Sequence, residues 1–518
     1  MLWMALSLGP GLSACDGTAD DADGGQAAGS PNDAGGTGAS ALDDALALRP
    51  LSASADARIV DDLDREVLLR GANVNSLGEY AQGDPAHAPT IPITDADFRQ
   101  MAARGLSVVR LIVTWSRIEP ERGVIDDAYL DEVDATITTA ASHGIYTVVD
   151  MHQDAYSAFI FTTDATECEA GSEPGKGWDG APAWACITDG LSTCVTGSRN
   201  SAPAVMAAWN HFYDNTDGIR ERFVASWAAL AERFAGRPEV AGYDVLNEPE
   251  VSRPSGELGP IYNQLLADTI VAIRAAEEGA DFEHLIIVEP AIPAGDPDLG
   301  IVLPDPVAAG APPGNLVAGP HNYAESIPNS LNLTTESMNT LSLSVAGGLG
   351  MPVWTGEYGF WNREPETLEA VRRFAIDEDA YAWGGAWWQW RQGCGDPHSH
   401  GWGQSADTDQ VHLNIIGCPG DVDLGPNEDF LSVLGRGFPR AAPGRVQELR
   451  SDPDTGELSL TASGASADDT VVVWTPTDAT THSVVVEGLS DVVEHTVEGG
   501  RVVVATVDDA DYVLRVAR

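Results

Sequence analysis

The chain has 518 residues, enough for one large barrel and a smaller domain, and its hydrophobic content of 43% is ordinary for a folded globular protein. With 79 acidic residues against 28 basic ones the formal net charge is −51, and Lys176 is the only lysine. No basic cluster interrupts this balance, which excludes nucleic acid as a partner and reads as a solvated acidic surface.

In chain order, Met1 to Leu12 is apolar, too short to span a bilayer, and runs into Leu12-Ser13-Ala14-Cys15. This resembles the lipobox of bacterial lipoproteins. It implies a signal peptide over 1–15, lipidation at Cys15, and an exported protein held at the bacterial cell envelope by a lipid anchor, or extracellular. Residues 16–46 are Asp, Gly, Ala and Ser in low-complexity order, with seven Asp and no Lys or Arg. Such a composition cannot bury enough apolar surface to fold, so 16–50 is expected to be a disordered acidic linker.

From about residue 50 apolar runs alternate with helical periodicity, the pattern of a parallel β/α architecture. The strand candidates are Val67 to Asn75, Ser107 to Trp115, Ile145 to His152, Val240 to Glu248, His284 to Glu289, Leu316 to Tyr323, Met351 to Glu357 and Gly384 to Trp390. Between them lie helical stretches such as Asp95 to Arg104, Asp126 to His143, Gly218 to Phe234, Ile261 to Glu278 and Thr367 to Ala380. The expected fold class is therefore α/β, a (β/α)8 TIM barrel over 51–440. The longest insertion, roughly 155–217, follows the third strand and should overhang the catalytic face. Its Phe159, Ile160, Phe161, Trp178, Trp184, Trp209 and Phe212 could line an apolar funnel.

After Gly444 the pattern becomes Glu457 to Ala462, Thr470 to Thr475, His482 to Glu487, Arg501 to Val507 and Tyr512 to Val516, short strands without intervening helices. Residues 441–518 are expected to form a small antiparallel β-sandwich that packs on the barrel exterior. Setting Cys15 aside, five cysteines remain. Cys394 and Cys418 bracket one loop and are expected to pair, with two of Cys168, Cys186 and Cys194 left to close a second bridge and one thiol free. No spacing matches a zinc site, and the run His398-Ser399-His400-Gly401-Trp402 has no carboxylate or cysteine at ligand spacing, so neither metal nor cofactor is expected.

Two strand tips carry the chemistry. Tyr243-Asp244-Val245-Leu246-Asn247-Glu248-Pro249 ends one strand with an amide and a carboxylic acid side by side, and Val353-Trp354-Thr355-Gly356-Glu357-Tyr358 ends another with a second carboxylate. Paired carboxylates across a barrel mouth are what displacement at a sugar carbon requires: one protonated acid and one ionised nucleophile. Glu289, closing the fifth strand, is read as a supporting residue. Trp388 and Trp390 should share one face of the last strand by alternation and offer an indole platform to a sugar ring.

Asn247-Glu248-Pro249 together with Glu357 resembles the signature of glycoside hydrolase family 5. The resemblance implies Glu248 as general acid/base, Glu357 as nucleophile and Asn247 on the sugar 2-hydroxyl. It also implies Arg110 as the cation that keeps the nucleophile ionised, and His321 and Tyr323 as the pair flanking it. Val149-Asp150-Met151-His152-Gln153-Asp154-Ala155-Tyr156-Ser157 and Trp115-Ser116-Arg117-Ile118-Glu119-Pro120 are similar to the endoglycoceramidase branch, which releases intact glycans from glycosphingolipids. Through that likeness Asp150 and His152 would bind the glucose unit beside the scissile bond. After Arg70-Gly71-Ala72-Asn73 the branch tends to present a lysine, whereas this chain reads Val74-Asn75-Ser76-Leu77-Gly78-Glu79-Tyr80.

The resulting expectation is a monomeric, retaining hydrolase of β-glucosidic linkages in glycolipids. Two alternatives remain open: a β-glucanase or β-mannosidase acting on polysaccharide or oligosaccharide, and a lipid-anchored glycan-binding protein without catalysis.

Overall fold

The computed structural model describes residues 42–518 apart from 81–89, 163, 176, 294–296, 327–332, 395, 397–410, 418–419 and 477–480. Eight parallel strand positions form its centre: β1 (Arg70–Val74), β2 (Val108–Thr114), β3 (Tyr146–His152), β4 (Val240–Asp244), β5 (Leu285–Val288), β6 (Leu316–Ala318, resuming at His321–Asn322), β7 (Trp354–Tyr358) and β8 (Gly384–Trp387). Strand order runs 6-5-4-3-2-1-8-7 and returns to the second half of β6, so the sheet closes. The sequence expectation of a (β/α)8 barrel is met.

These strands are buried on both faces, which is why they read as unbroken apolar runs. Outward residues such as Val109, Leu111, Val149 and Tyr243 pack under the helices, while Val108, Val148, Ile287 and Trp354 fill the interior. Two positions further along β2, β3 and β5, on the same inward face, the apolar layer gives way to Arg110, Asp150 and Glu289. The charged layer thus sits at the carboxyl ends of the strands, over an apolar floor.

The C-terminal part is a sandwich of a seven-stranded and a four-stranded sheet. Besides the five expected strands it contains Phe438–Pro443, Arg445–Ser451 and Leu489–Val497. Two prolines and a solvent-facing polar side disguise these three in the sequence. Short N-terminal strands, Leu51–Ala53, Ile59–Asp61 and Arg65–Glu66, extend the larger sheet through pairing of Glu66 with Ala442. The sandwich packs on the barrel where Trp474 approaches Gly105: a Cβ there would run into the indole, and its φ of +78° favours glycine.

The expected disorder of 16–50 does not hold for its last stretch. Residues 42–45 are helical, Leu42, Ala45 and Leu46 pack against the sandwich core, and the Arg49 amide donates to Tyr146 Oη at 2.8 Å. Three apolar side chains within five residues suffice to dock this turn. Among the described residues no helix is long and apolar enough to cross a membrane.

Cys168 and Cys194 form a disulfide and Cys186 is free, as the count of three cysteines allowed. Cys394 is disulfide-bonded; its expected partner Cys418, like Cys15 and the His398 to Trp402 run, lies outside the described residues.

Candidate active site

Arg110 is the hub of the charged layer. Fully buried, it donates from Nη1 to Glu357 Oε1 at 2.8 Å and Asn73 Oδ1 at 3.1 Å, and from Nη2 to Asn247 Oδ1 at 2.8 Å and Glu289 Oε1 at 3.1 Å. Nε donates to Asp244 Oδ2 at 2.9 Å, and Nη2 also pairs with Asp150 Oδ1 at 3.0 Å. Arg110 thus orients the nucleophile candidate from below. Four carboxylates around one guanidinium exceed the charge it neutralises. Burial, against the pull of Arg110, pushes Asp150 up to about 7 and Asp244 up to about 6.

Glu248 stands one residue beyond Asn247 with a left-handed φ of 38°, an unfavourable backbone for a non-glycine residue that its surroundings must hold. The Gln153 amide donates to the carbonyls of Asn247 at 2.8 Å and Glu248 at 2.9 Å, and Glu289 Oε2 accepts the Glu248 N–H at 2.9 Å. Glu289 is therefore a supporting residue, as read from the sequence, and it touches Arg110, His321 and the Glu248 backbone together. Asn73, Gln153 and Asp244 were not singled out in the sequence. Asn73 and Gln153 are neutral amides whose role is visible only from their partners, and Asp244 is one more acid in an acidic chain.

His321 lies between the two glutamates, paired in register with Glu357 across β6 and β7. Its Nδ1 donates to Glu248 Oε1 at 2.9 Å and is 3.6 Å from Glu357 Oε2, while Nε2 is 3.2 Å from Glu289 Oε1. Tyr323 Oη donates to Glu357 Oε2 at 2.9 Å, its ring stacked on Trp361. Carboxylate oxygens of Glu248 and Glu357 lie within 4.8 Å of each other and of His321.

Burial opposes protonation of His321, but Glu289 and Glu357, with the hydrogen bonds to Glu248 and Glu289, outweigh it and hold its pKa well above 6.5. In the free protein an imidazolium bridges the two glutamates, hydrogen-bonded to one and close to the other. Burial raises Glu248, yet the bonded imidazolium brings it below 4.5. Glu357 ends above 4.5, because burial outweighs His321 and Arg110 and the Glu248 charge adds to the rise. The sequence argument asks for a protonated Glu248 and an ionised Glu357; in the free protein burial pushes Glu357 up and the hydrogen-bonded imidazolium pulls Glu248 down.

Two of the expected ligand contacts, Asp150 and Trp390, are buried in the free protein. Asp150 is buried beneath His152, its oxygens facing Arg110 at 3.0 Å and the His152 Nδ1–H at 2.7 Å, so it orients His152. Trp390 is 1% exposed in the helix-facing core, its Nε1 donating to Asp97 at 3.1 Å. β8 ends at Trp387 and the alternation stops there, which leaves Trp388, stacked on His152 at 5.4 Å, as the tryptophan beside the site. His152 in turn accepts from Asn247 Nδ2 at 3.4 Å.

Of the seven residues expected to line an apolar funnel, four are buried in the free protein. Ile160, Trp178, Trp209 and Phe212 are buried, and Trp209 and Phe212 pack with Trp115, Tyr156, Tyr213 and Phe223. A segment of this length has to bury a core of its own, and its aromatics are used for that.

The model of the cellulase family, glycosyl hydrolase family 5, matches residues 66–393, more than half of the chain. Endoglycoceramidase I of Rhodococcus hoagii is 30% identical over 37% of this chain and 35% of its own length, and an endoglycoceramidase of Cyanea nozakii is 26% identical over 45% and 49%. The chain thus spans between a third and a half of the length of these curated relatives. The crystal structure of an endogalactoceramidase is similar at 36% identity and a TM-score of 0.82, covering 91% of this chain and 100% of that one. Endo-glycoceramidase II from Rhodococcus sp., as its lactosyl-enzyme intermediate, is similar at 25% identity and a TM-score of 0.65, covering 89% and 99%. With the barrel, the paired glutamates and these matches in agreement, the chain belongs to glycosyl hydrolase family 5.

Proposed function

We propose that the protein is a retaining glycosidase that releases a glycan from a lipid aglycone, with Glu357 as nucleophile and Glu248 as acid/base. The observation that carries this reading is that an oxygen of the Glu248 carboxylate and one of Glu357 lie within 4.8 Å of each other. Retaining enzymes hold theirs about 5–5.5 Å apart and inverting enzymes about 6.5–9.5 Å, to admit a water. Glu357 attacks the anomeric carbon while Glu248 gives its proton to the departing oxygen. Glu248, now ionised, then takes a proton from water, which displaces Glu357 and restores the original anomer. Arg110 and Tyr323 each bond one Glu357 oxygen and aim the carboxylate. Asn247 and His152 face the sugar, with Trp388 beneath it.

The substrate class rests on the similarity to endoglycoceramidases and an endogalactoceramidase, one of them captured as a lactosyl-enzyme intermediate. The sugar at the lipid is glucose by the Asp150 to Ser157 motif, or galactose by the 36% likeness to an endogalactoceramidase. Where the branch tends to place a lysine, this chain has Asn75 bonded to Tyr80.

The test is cleavage of lactosylceramide, glucosylceramide, a galactose-linked ceramide glycan, an aryl β-glycoside and a soluble β-glucan by wild type and Glu357→Gln. Release of an intact glycan from a ceramide, lost in Glu357→Gln and appearing first as the β-anomer by NMR, supports the proposal. Turnover of the glucan alone would move the protein to the polysaccharide reading, and binding without cleavage to the glycan-binding one.

We also infer export and lipidation from the Leu12 to Cys15 motif, and action as a monomer from a site built within one chain. Mass spectrometry of the mature N-terminus, where a diacylglyceryl-modified Cys15 is expected, and light scattering test these points.

A further inference from the structure

Resting on the retaining-glycosidase reading, we propose that Gln153 is a positioning residue for the acid step: it keeps the Glu248 carboxyl aimed at the departing oxygen by tying the turn after β4 to the root of the insertion after β3. Both turns are strained. Glu248 has a φ of 38°, and Ala155 and Tyr156 follow one another at 53° and 72°. These are left-handed backbones at residues that carry a Cβ, and they persist only where neighbouring groups fix them. Gln153, the first residue beyond β3 and 5% exposed, is bonded to both turns.

The whole amide is engaged. Nε2 donates to the carbonyls of Asn247 at 2.8 Å and Glu248 at 2.9 Å, and Oε1 accepts the Tyr156 N–H at 2.8 Å. Two acceptors on one side and a donor on the other also decide which way the amide points. The backbone carbonyl of Gln153 accepts from Asn247 Nδ2 at 3.1 Å. The insertion backs this arrangement from behind. The Ala181 N–H donates to the Tyr156 carbonyl at 2.8 Å, and Tyr156 Oη donates to the Ala185 carbonyl at 3.0 Å. At Gly180, whose φ is +121°, a Cβ would stand 2.7 Å from the Gln153 Cβ, so the two segments touch with no space for a side chain between them.

The two glutamates are aimed by different means. Arg110 and Tyr323 hold Glu357 through its own two carboxylate oxygens. The Glu248 side chain is 41% exposed and bonded at one oxygen by His321, so its direction follows from its backbone. Glu289 Oε2 takes the Glu248 N–H and Gln153 takes its carbonyl, which fixes the residue from both ends. Glu289 also meets Arg110 and His321, so Gln153 is the holder whose removal leaves the charges of the site unchanged. The chemical consequence is specific. An aglycone that leaves as a stable anion needs no proton, whereas a basic one departs only as a proton is delivered, so a misaimed acid penalises substrates in order of leaving-group basicity.

The experiment measures kcat/KM for wild type, Gln153→Met and Glu248→Ala along a series of aryl β-glycosides of one sugar, from dinitrophenyl, which departs without a proton, to phenyl. Gln153→Met keeps the length of the side chain and removes its N–H groups. It is expected to lose about tenfold or more on the phenyl glycoside relative to the dinitrophenyl one, a steeper dependence on the leaving group than in wild type and in the direction of Glu248→Ala. Gln153→Asn, whose amide is one methylene short of the two carbonyls, should repeat the pattern if the first variant folds poorly. A contact that serves folding alone would lower every member of the series alike. An equal loss, or none, while Glu248→Ala kept its steep dependence would overturn the inference and leave the glycosidase reading intact. A series without leaving-group dependence in Glu248→Ala as well, or without turnover by wild type, would overturn the reading on which the inference rests.

Discussion

The His321 Nδ1–H donates to Glu248 Oε1 at 2.9 Å, so the candidate general acid carries a cation on the oxygen that has to hold its proton. Burial pushes Glu357 up despite His321 and Arg110, while this bond pulls Glu248 down.

Removing that cation should move the pH profile. Turnover needs Glu357 ionised and Glu248 protonated, so kcat/KM falls below one apparent pKa of the pair and above the other. His321 lowers the pKa of both carboxyls, and its loss lets both rise. A charge-assisted hydrogen bond is worth about 1.5–3 kcal/mol, or roughly 1–2 pH units. In His321→Gln both limbs of the kcat/KM profile are therefore expected about one unit or more higher, at reduced height. An unmoved profile on a nitrophenyl glycoside would contradict the assignment.

Arg110→Met should destabilise the fold as well as abolish activity. The substitution leaves Asp150, Asp244, Glu289 and Glu357 without their shared partner in a buried site. Breaking a buried ion pair from one side costs about 3–5 kcal/mol. A fall in the chemical-denaturation midpoint at pH 7 measures this, and it should narrow at pH 5, where the raised pKa values of Asp150 and Asp244 leave more of these groups neutral.

The two tryptophans after β8 should separate by phenotype. Trp390→Ala is expected to cost about 3–5 kcal/mol of stability, as a large core truncation, with KM for a nitrophenyl glycoside little changed. Trp388→Ala, removing the ring stacked on His152, is expected to lower kcat/KM about tenfold, the order of a specific aromatic contact. Matching losses of affinity in both variants would show that Trp390 also meets the sugar.

Cys168→Ser opens a bridge between residues 26 apart in the insertion. Loss of that closure is expected to cost about 3 kcal/mol. Because Arg199 and Asn200 belong to the same insertion, protease cleavage within 160–200 should quicken. An unchanged digestion pattern would mean that the aromatic core of the insertion suffices to hold it.

The sequence by itself determined the barrel, the two glutamates at their strand tips and their order along the chain. Apolar periodicity and local motifs are short-range signals, and burial on both faces of a parallel sheet writes them plainly. The same local signal carried Trp390 past the end of β8 into the wrong surroundings, since nothing in Trp387-Trp388-Gln389-Trp390 marks where the strand stops. Only the tertiary structure decided which partner each charge has. Arg110 meets acids from β3, β4, β5 and β7, and His321 bonds a residue 73 positions away. Proton affinities follow from distances of a few ångströms between side chains that the sequence keeps far apart, so the strand-tip glutamates were legible and the partners and electrostatics around them were not.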